Sequence, residues 1–149
     1  MHNIRLATIF DAPNIAFLFD QYRQFYKQLP NIALAESFIS QRLNNQESVI
    51  FLAESDDKKA IGFCQIYPSF CSLEAAKIGV LYDLFIEFNA RKTGAGRALI
   101  LAAHDYATKN NLKRLDLTTA KDNYAAQTMY ESLGWTKDTV FYAYSKEIK

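Results

Sequence analysis

Apolar and polar positions change period repeatedly along the chain, and each change marks a predicted element. Ile4-Arg5-Leu6-Ala7 alternates with a period of two and predicts an edge strand. Asp11 followed by Ala12-Pro13 predicts an N-cap with proline in the first turn of a helix. Ile15, Leu18, Phe19, Tyr22, Phe25 and Tyr26 then recur at three and four, one continuous apolar stripe, and Pro30 lies beyond its end. A second helix is expected over 35–43, followed by strands over 48–54 and 60–67 that the polar turn Ser55-Asp56-Asp57-Lys58-Lys59 joins as a hairpin. Residues 68–76 read as a longer connection, and 77–87 as a β-rich run expected to be the central strand. Gly94 and Gly96 mark the return to helical spacing, with Leu99, Ala102, Ala103, Tyr106 and Ala107 on one face. A strand over 113–119, a helix over 123–133 closed by Gly134, and an aromatic-rich final strand over 137–146 complete the pattern.

A hairpin in the first half and alternating strands and helices in the second predict an α/β domain whose mixed sheet is flanked by helices. The 149 residues fit one domain, 1–149, with no internal repeat or linker, and half of them are hydrophobic, enough for a sizeable core. A net charge of +1, with Lys and Arg dispersed, lacks the basic footprint of nucleic-acid binding. The longest apolar runs fall far short of the ~20 residues that span a bilayer, and the N-terminus enters its strand pattern without a secretory apolar stretch. The expected location is the cytoplasm, with neither a nucleic-acid nor a membrane partner. Cys64 and Cys71 lack Cys-x-x-Cys spacing and have no neighbouring histidine, which predicts reduced, packed thiols and no metal site.

The segment richest in chemistry is Asp83-Leu84-Phe85-Ile86 leading into Arg91-Lys92-Thr93-Gly94-Ala95-Gly96-Arg97. A strand here delivers a glycine-bearing loop to the start of a helix. The first N–H groups of a helix have no intrahelical partner and carry the positive end of its dipole, so the arrangement suits a pyrophosphate. Glycines 94 and 96 let the backbone approach it, and Arg91, Lys92 and Arg97 add positive charge. The stretch has neither the Gly-Lys-Ser/Thr ending of a P-loop nor the third glycine and distant acid of a dinucleotide-binding turn.

Arg91-x-x-Gly94-x-Gly96 after a strand resembles the pyrophosphate signature of the GNAT acetyltransferases. Asn123-x-x-Ala126-x-x-x-Tyr130-Glu131-x-Leu133-Gly134-Trp135 is similar to that family's second motif, and Ile4-Arg5-x-Ala7-Thr8-x-x-Asp11 to its usual opening. Tyr82-Asp83-Leu84-Phe85-Ile86 with Lys92 to Gly96 looks closest to the branch of small fungal histone and D-amino-acid acetyltransferases. The resemblance implies an acyl-CoA N-acyltransferase fold that uses acetyl-CoA as co-substrate, without a metal, to acetylate a primary amine by direct attack in a ternary complex.

The resemblance also implies roles. Backbone groups of Leu84, Phe85 and Ile86 would hold the pantetheine arm and acetyl group, and Arg91, Lys92, Thr93, Gly94, Ala95, Gly96 and Arg97 the pyrophosphate. Tyr130 matches the general acid that meets the leaving thiolate. Asn123 lies two helical turns before it, on the same face, and either holds the cofactor's pantetheine or the substrate end, or only caps its helix. An alkylammonium with a pKa near ~10 is only about one part in a thousand neutral at pH 7, so something must take its proton. Many family members place a glutamate where this chain has Tyr82, which leaves Asp83, or Glu87 through water, as the candidate base. Phe25, Tyr26, Tyr67, Phe70, Tyr142 and Tyr144 come from segments that in this family border the acceptor cleft. The expected acceptor is a small-molecule amine such as an amino acid or polyamine. The alternatives are a protein or peptide acceptor and, because of Tyr82, a CoA-binding sensor without turnover. A homodimer is expected from pairing of the aromatic final strand.

Overall fold

The computed structural model describes residues 2–149. They form strands β1 (Asn3–Leu6), β2 (Val49–Glu54), β3 (Ala60–Cys71), β4 (Ala76–Ile86) and β5 (Leu115–Asp116), and helices α1 (Ala12–Phe25), α2 (Ile32–Asn44), α3 (Ala95–Lys109) and α4 (Tyr124–Ser132). Two compact units carry these elements, Met1–Leu117 and Thr118–Lys149.

The first unit holds one five-stranded sheet in the order β1-β2-β3-β4-β5, antiparallel from β1 to β4 and parallel between β4 and β5. The expected mixed sheet is present, and β1 is the expected edge. The middle of the five is β3, however, and not the 77–87 run. That run fills β4, and its apolar sequence reflects burial on its faces more than a central place in the ladder. Alternation divides the sheet's two faces. Leu52 and its register partner Phe63 pack with Ile15, Leu18, Phe19, Ala35 and Ile39 of α1 and α2. Phe51 and its partner Cys64 point the other way, where the Phe51 ring lies 6.0 Å from that of Tyr106 and the Cys64 thiol is 3.9 Å from the Leu99 carbonyl, both on α3.

Asp11 does precede α1, with Pro13 in the first turn, but its side chain makes no cap. Its carboxylate accepts instead from Thr8 N–H and, bidentately, from Arg5, whose Nε also reaches Glu54 at 2.8 Å. Arg5 thereby ties β1, β2 and the start of α1 together. Helix α2 begins three residues earlier than expected because Asn31 caps it, its side chain accepting from Leu34 N–H.

Residues 68–71, expected in a connection, continue β3, leaving only a tight turn before β4. Pro68 is tolerated there because β2 ends its pairing at Ile66, so the missing N–H faces no strand. The strand expected over 113–119 contributes only Leu115 and Asp116 to the ladder. It joins where Gly79 lacks a side chain, since a Cβ there would lie 2.7 Å from Leu115 Cδ2.

In the second unit α4 matches its expected span, with Asn123 as cap and Gly134 at φ +90° just past its end. The aromatic strand expected over 137–146 is not formed, and these residues take no part in any ladder among the described residues. Period-two patterning creates a strand only where an edge is available to bond it.

Candidate active site

One extra residue in β4 organises the site. Gln65 is in register with Asp83, and Ile66 with Leu81, so Tyr82 is left over as a β-bulge. A bulge reverses which backbone groups face which neighbour. Before it, Lys77 C=O and Gly79 N–H bond the β5 segment. After it, Glu87 N–H bonds Ile61 on the β3 side, and alternation therefore turns the N–H and C=O of Leu84 and Ile86 outward.

Among the described residues no strand lies on that outward edge. The ladder with β5 stops at Val80, six residues before β4 ends. Leu84 thus presents a donor and an acceptor and Ile86 a donor, while the Ile86 carbonyl accepts from Arg91 Nε at 3.0 Å. An extended amide-bearing chain laid along this edge would satisfy them as an added strand does.

Past the end of β4, Gly94 caps α3 at φ +89°, and a Cβ built on it would meet nothing within 4 Å. The glycine is required by its left-handed backbone, and the space before the helix is open. The first N–H groups of α3 face that space without intrahelical partners. Thr93 is fixed from both sides, its hydroxyl donating to Ala90 C=O at 2.6 Å and its own carbonyl 3.0 Å from His2 Nε2. Lys92 and Arg97 are exposed beside the loop, whereas the Arg91 guanidinium lies 5.5 to 5.7 Å from the ring centres of Phe25, Phe85 and Phe88. Arg91 thus clamps the end of β4 to α1 as well as adding charge. A helix N-terminus and an unpaired backbone edge, joined by one loop, fit a pyrophosphate followed by a pantetheine arm.

Asp83 lines a cleft of about 430 Å³ on the α1 side, bordered by Tyr22 and Arg23 of α1, Tyr26 just after its end, Tyr67 of β3 and the bulge residue Tyr82. Asp83 is only 4% exposed, and its carboxylate accepts from Gln65 Nε2 at 2.7 Å, while the nearby Tyr22 hydroxyl donates to the Tyr82 carbonyl at 3.4 Å. Burial pushes the carboxyl above the ordinary carboxylate range, and the Gln65 hydrogen bond works against that rise. Burial, and then the neighbouring Asp83, push the Tyr67 phenol up to about 12, and Tyr22 is raised for the same reasons. Both phenols therefore remain protonated donors at neutral pH.

Of the expected aromatics, the cleft gathers Tyr26 and Tyr67. Phe25 turns to Arg91, while Phe70, Tyr142 and Tyr144 are exposed. Glu87, the other candidate base, does not line the cleft and pairs instead with Lys59 at 3.5 Å. The sequence marks Tyr82 only as the place where many family members carry a glutamate and gives Tyr22 and Gln65 no part in the site. The one available signal was Gln65, polar in the otherwise apolar run Ile61 to Ile66. In the second unit, Asn123 caps α4 through its Oδ1. Tyr130 is buried to 9% with its ring 5.9 Å from that of Trp135. Among the described residues no three His, Cys, Asp or Glu side chains gather as a metal site, both cysteines are free, and no helix is long and apolar enough to cross a membrane.

The model of the Acetyltransferase (GNAT) family matches residues 14–135. The chain belongs to the GNAT acetyltransferases. It is 46% identical over 142 residues, 95% of each chain, to an uncharacterized N-acetyltransferase, YhfO, of Bacillus subtilis. It is 34% identical over 118 residues, 79% of each chain, to a probable acetyltransferase of Haemophilus influenzae. A crystal structure of a probable acetyltransferase superposes with a TM-score of 0.92 at 35% identity, covering 99% of this chain and 98% of the other. An aminoglycoside N-acetyltransferase solved with CoA shares the fold, with a TM-score of 0.81 at 18% identity, covering 99% and 96%. Both of these named relatives are bacterial proteins and lend no support to the finer fungal-branch resemblance. As a GNAT protein the chain is an N-acetyltransferase.

Proposed function

We propose that this enzyme moves an acetyl group from acetyl-CoA to a primary amine of a small molecule, by direct attack in a ternary complex in the cytoplasm. The observation that carries the reading is the parting of β4 from β5, which leaves the Leu84 N–H and C=O and the Ile86 N–H facing no strand as the chain runs toward the open N-terminus of α3. Leu84 to Ile86 would hold the pantetheine arm and residues 91–97 the pyrophosphate, and the bound thioester supplies the acyl group.

The cleft on the other side of the bulge suits a cation. Phenolic rings and a buried carboxylate attract an ammonium group, and 430 Å³ lies in the range of small-molecule pockets. In this reading Asp83 takes the proton that the acceptor must lose before its nitrogen can attack. A base with an elevated pKa has a stronger proton affinity than an ordinary carboxylate, so burial improves its match to an amine. Tyr130 donates a hydrogen bond to the departing sulfur. A thiolate is less basic than a phenolate, so stabilisation by hydrogen bonding suffices without complete proton transfer.

The test is thiol release from acetyl-CoA against polyamines, D- and L-amino acids, aminoglycosides and histone-tail peptides. Saturable release with one class of small amine is the expected outcome. Release with peptides alone would assign a protein acceptor, and tight CoA binding with no release would favour a sensor.

A further inference from the structure

We propose that Ser48 and Gln65 form a positioning pair that keeps Asp83 ionised inside the cleft. The inference rests on the reading of Asp83 as the proton acceptor.

Gln65 is fully buried in the middle strand, in register with Asp83 and immediately beside the bulge. A buried primary amide must place both of its ends. Here Nε2 donates to Asp83 Oδ2 at 2.7 Å and Oε1 accepts from the Ser48 hydroxyl at 2.6 Å. With the amide turned over, its oxygen would face the oxygen of an ionised carboxylate and repel it. The observed orientation aims a donor at Asp83, and an ionised carboxylate accepts such a bond more strongly than a neutral carboxyl does.

The groups around Asp83 otherwise do little to hold that charge. Tyr22 on α1 turns its hydroxyl to the Tyr82 carbonyl at 3.4 Å, and burial keeps Tyr22, Tyr67 and Cys64 protonated and neutral. Arg23, the cation in the cleft lining, is committed to Asp20 at 3.5 Å and to the Leu29 carbonyl at 3.4 Å. Charge-assisted hydrogen bonds are the remaining means of opposing desolvation, and Gln65 supplies one whose geometry Ser48 fixes. Ser48 sits one residue before β2, so the support reaches Asp83 across two strands.

The experiment follows the Asp83 carboxyl itself, by carbon NMR titration of protein labelled at aspartate carboxyls, with Asp83→Asn identifying the signal. Gln65→Met retains bulk and loses the donor, and it should raise the Asp83 midpoint by about one to two pH units. Ser48→Ala, which leaves the buried side chain in place, should move it the same way by less, and Ser48→Thr should restore it. A midpoint unchanged in both Gln65→Met and Ser48→Ala overturns the pair. The reading of Asp83 as base is judged separately, on the amine found to be acetylated. There Asp83→Asn should remove the acidic limb of kcat/KM, and a wild-type profile in that variant overturns the base and with it the catalytic purpose of the pair.

Discussion

At the scale of single residues, two side chains carry opposite ends of the proposed reaction and are tested differently. Tyr130→Phe removes one hydroxyl from a buried ring, so it should lower kcat by ~10²-fold while leaving CoA affinity within a few-fold. Steady-state kinetics with a separate CoA titration would check it, and wild-type turnover would remove Tyr130 from the mechanism. Asp83 is also a stability probe. Its folded pKa lies above the unfolded value of 3.8, so its contribution is complete below that value and is lost as pH rises through the folded pKa. The wild type should therefore lose stability relative to Asp83→Asn across that window and level off above it. Melting temperatures of the two proteins between pH 4 and pH 8 would show a flat difference if the carboxyl is not perturbed. Asp83 was legible in the sequence as a candidate base, but its partners were not. Gln65 lies eighteen residues away, and only the register of two strands and a bulge brings the two together.

At the scale of elements, the loop between β4 and α3 was legible in detail, because a positive φ and an open approach both demand glycine. Gly94→Ala meets no steric obstacle and pays only in backbone strain, about 1–2 kcal/mol for a left-handed L-residue. The expected result is a modest drop in melting temperature together with weaker CoA binding, measured by calorimetry, as the loop relaxes from its cap geometry. Unchanged affinity would mean that the α3 N-terminus does not contact the cofactor. The bulge at Tyr82 was not legible, since a run of eleven strand-forming residues reads the same with or without one unpaired member. The start of α2 was displaced for a similar reason, a cap at Asn31 outweighing the weaker apolar periodicity that follows it.

At the scale of the molecule, fold class and strand order at the edge followed from pattern, whereas the last strand did not, because pairing is a property of two segments and the sequence describes one at a time. Residues 137–146 keep alternating aromatic character while Tyr142 and Tyr144 stand 91% and 92% exposed. We propose that a second copy pairs with this segment, identical antiparallel strands being self-complementary about a two-fold axis. Light scattering should give a dimer, and Tyr142→Lys with Tyr144→Lys should give a monomer. A monomeric wild type would remove the proposal. The bulge has a last consequence, for how such an enzyme changes over time. On one side of it β4 offers only main chain, which almost any sequence supplies. On the other it offers the side chains of Tyr82 and Asp83, which any point mutation alters. On the proposed assignment of the two sides, the choice of amine can drift one codon at a time while the grip on the acyl donor is inherited intact.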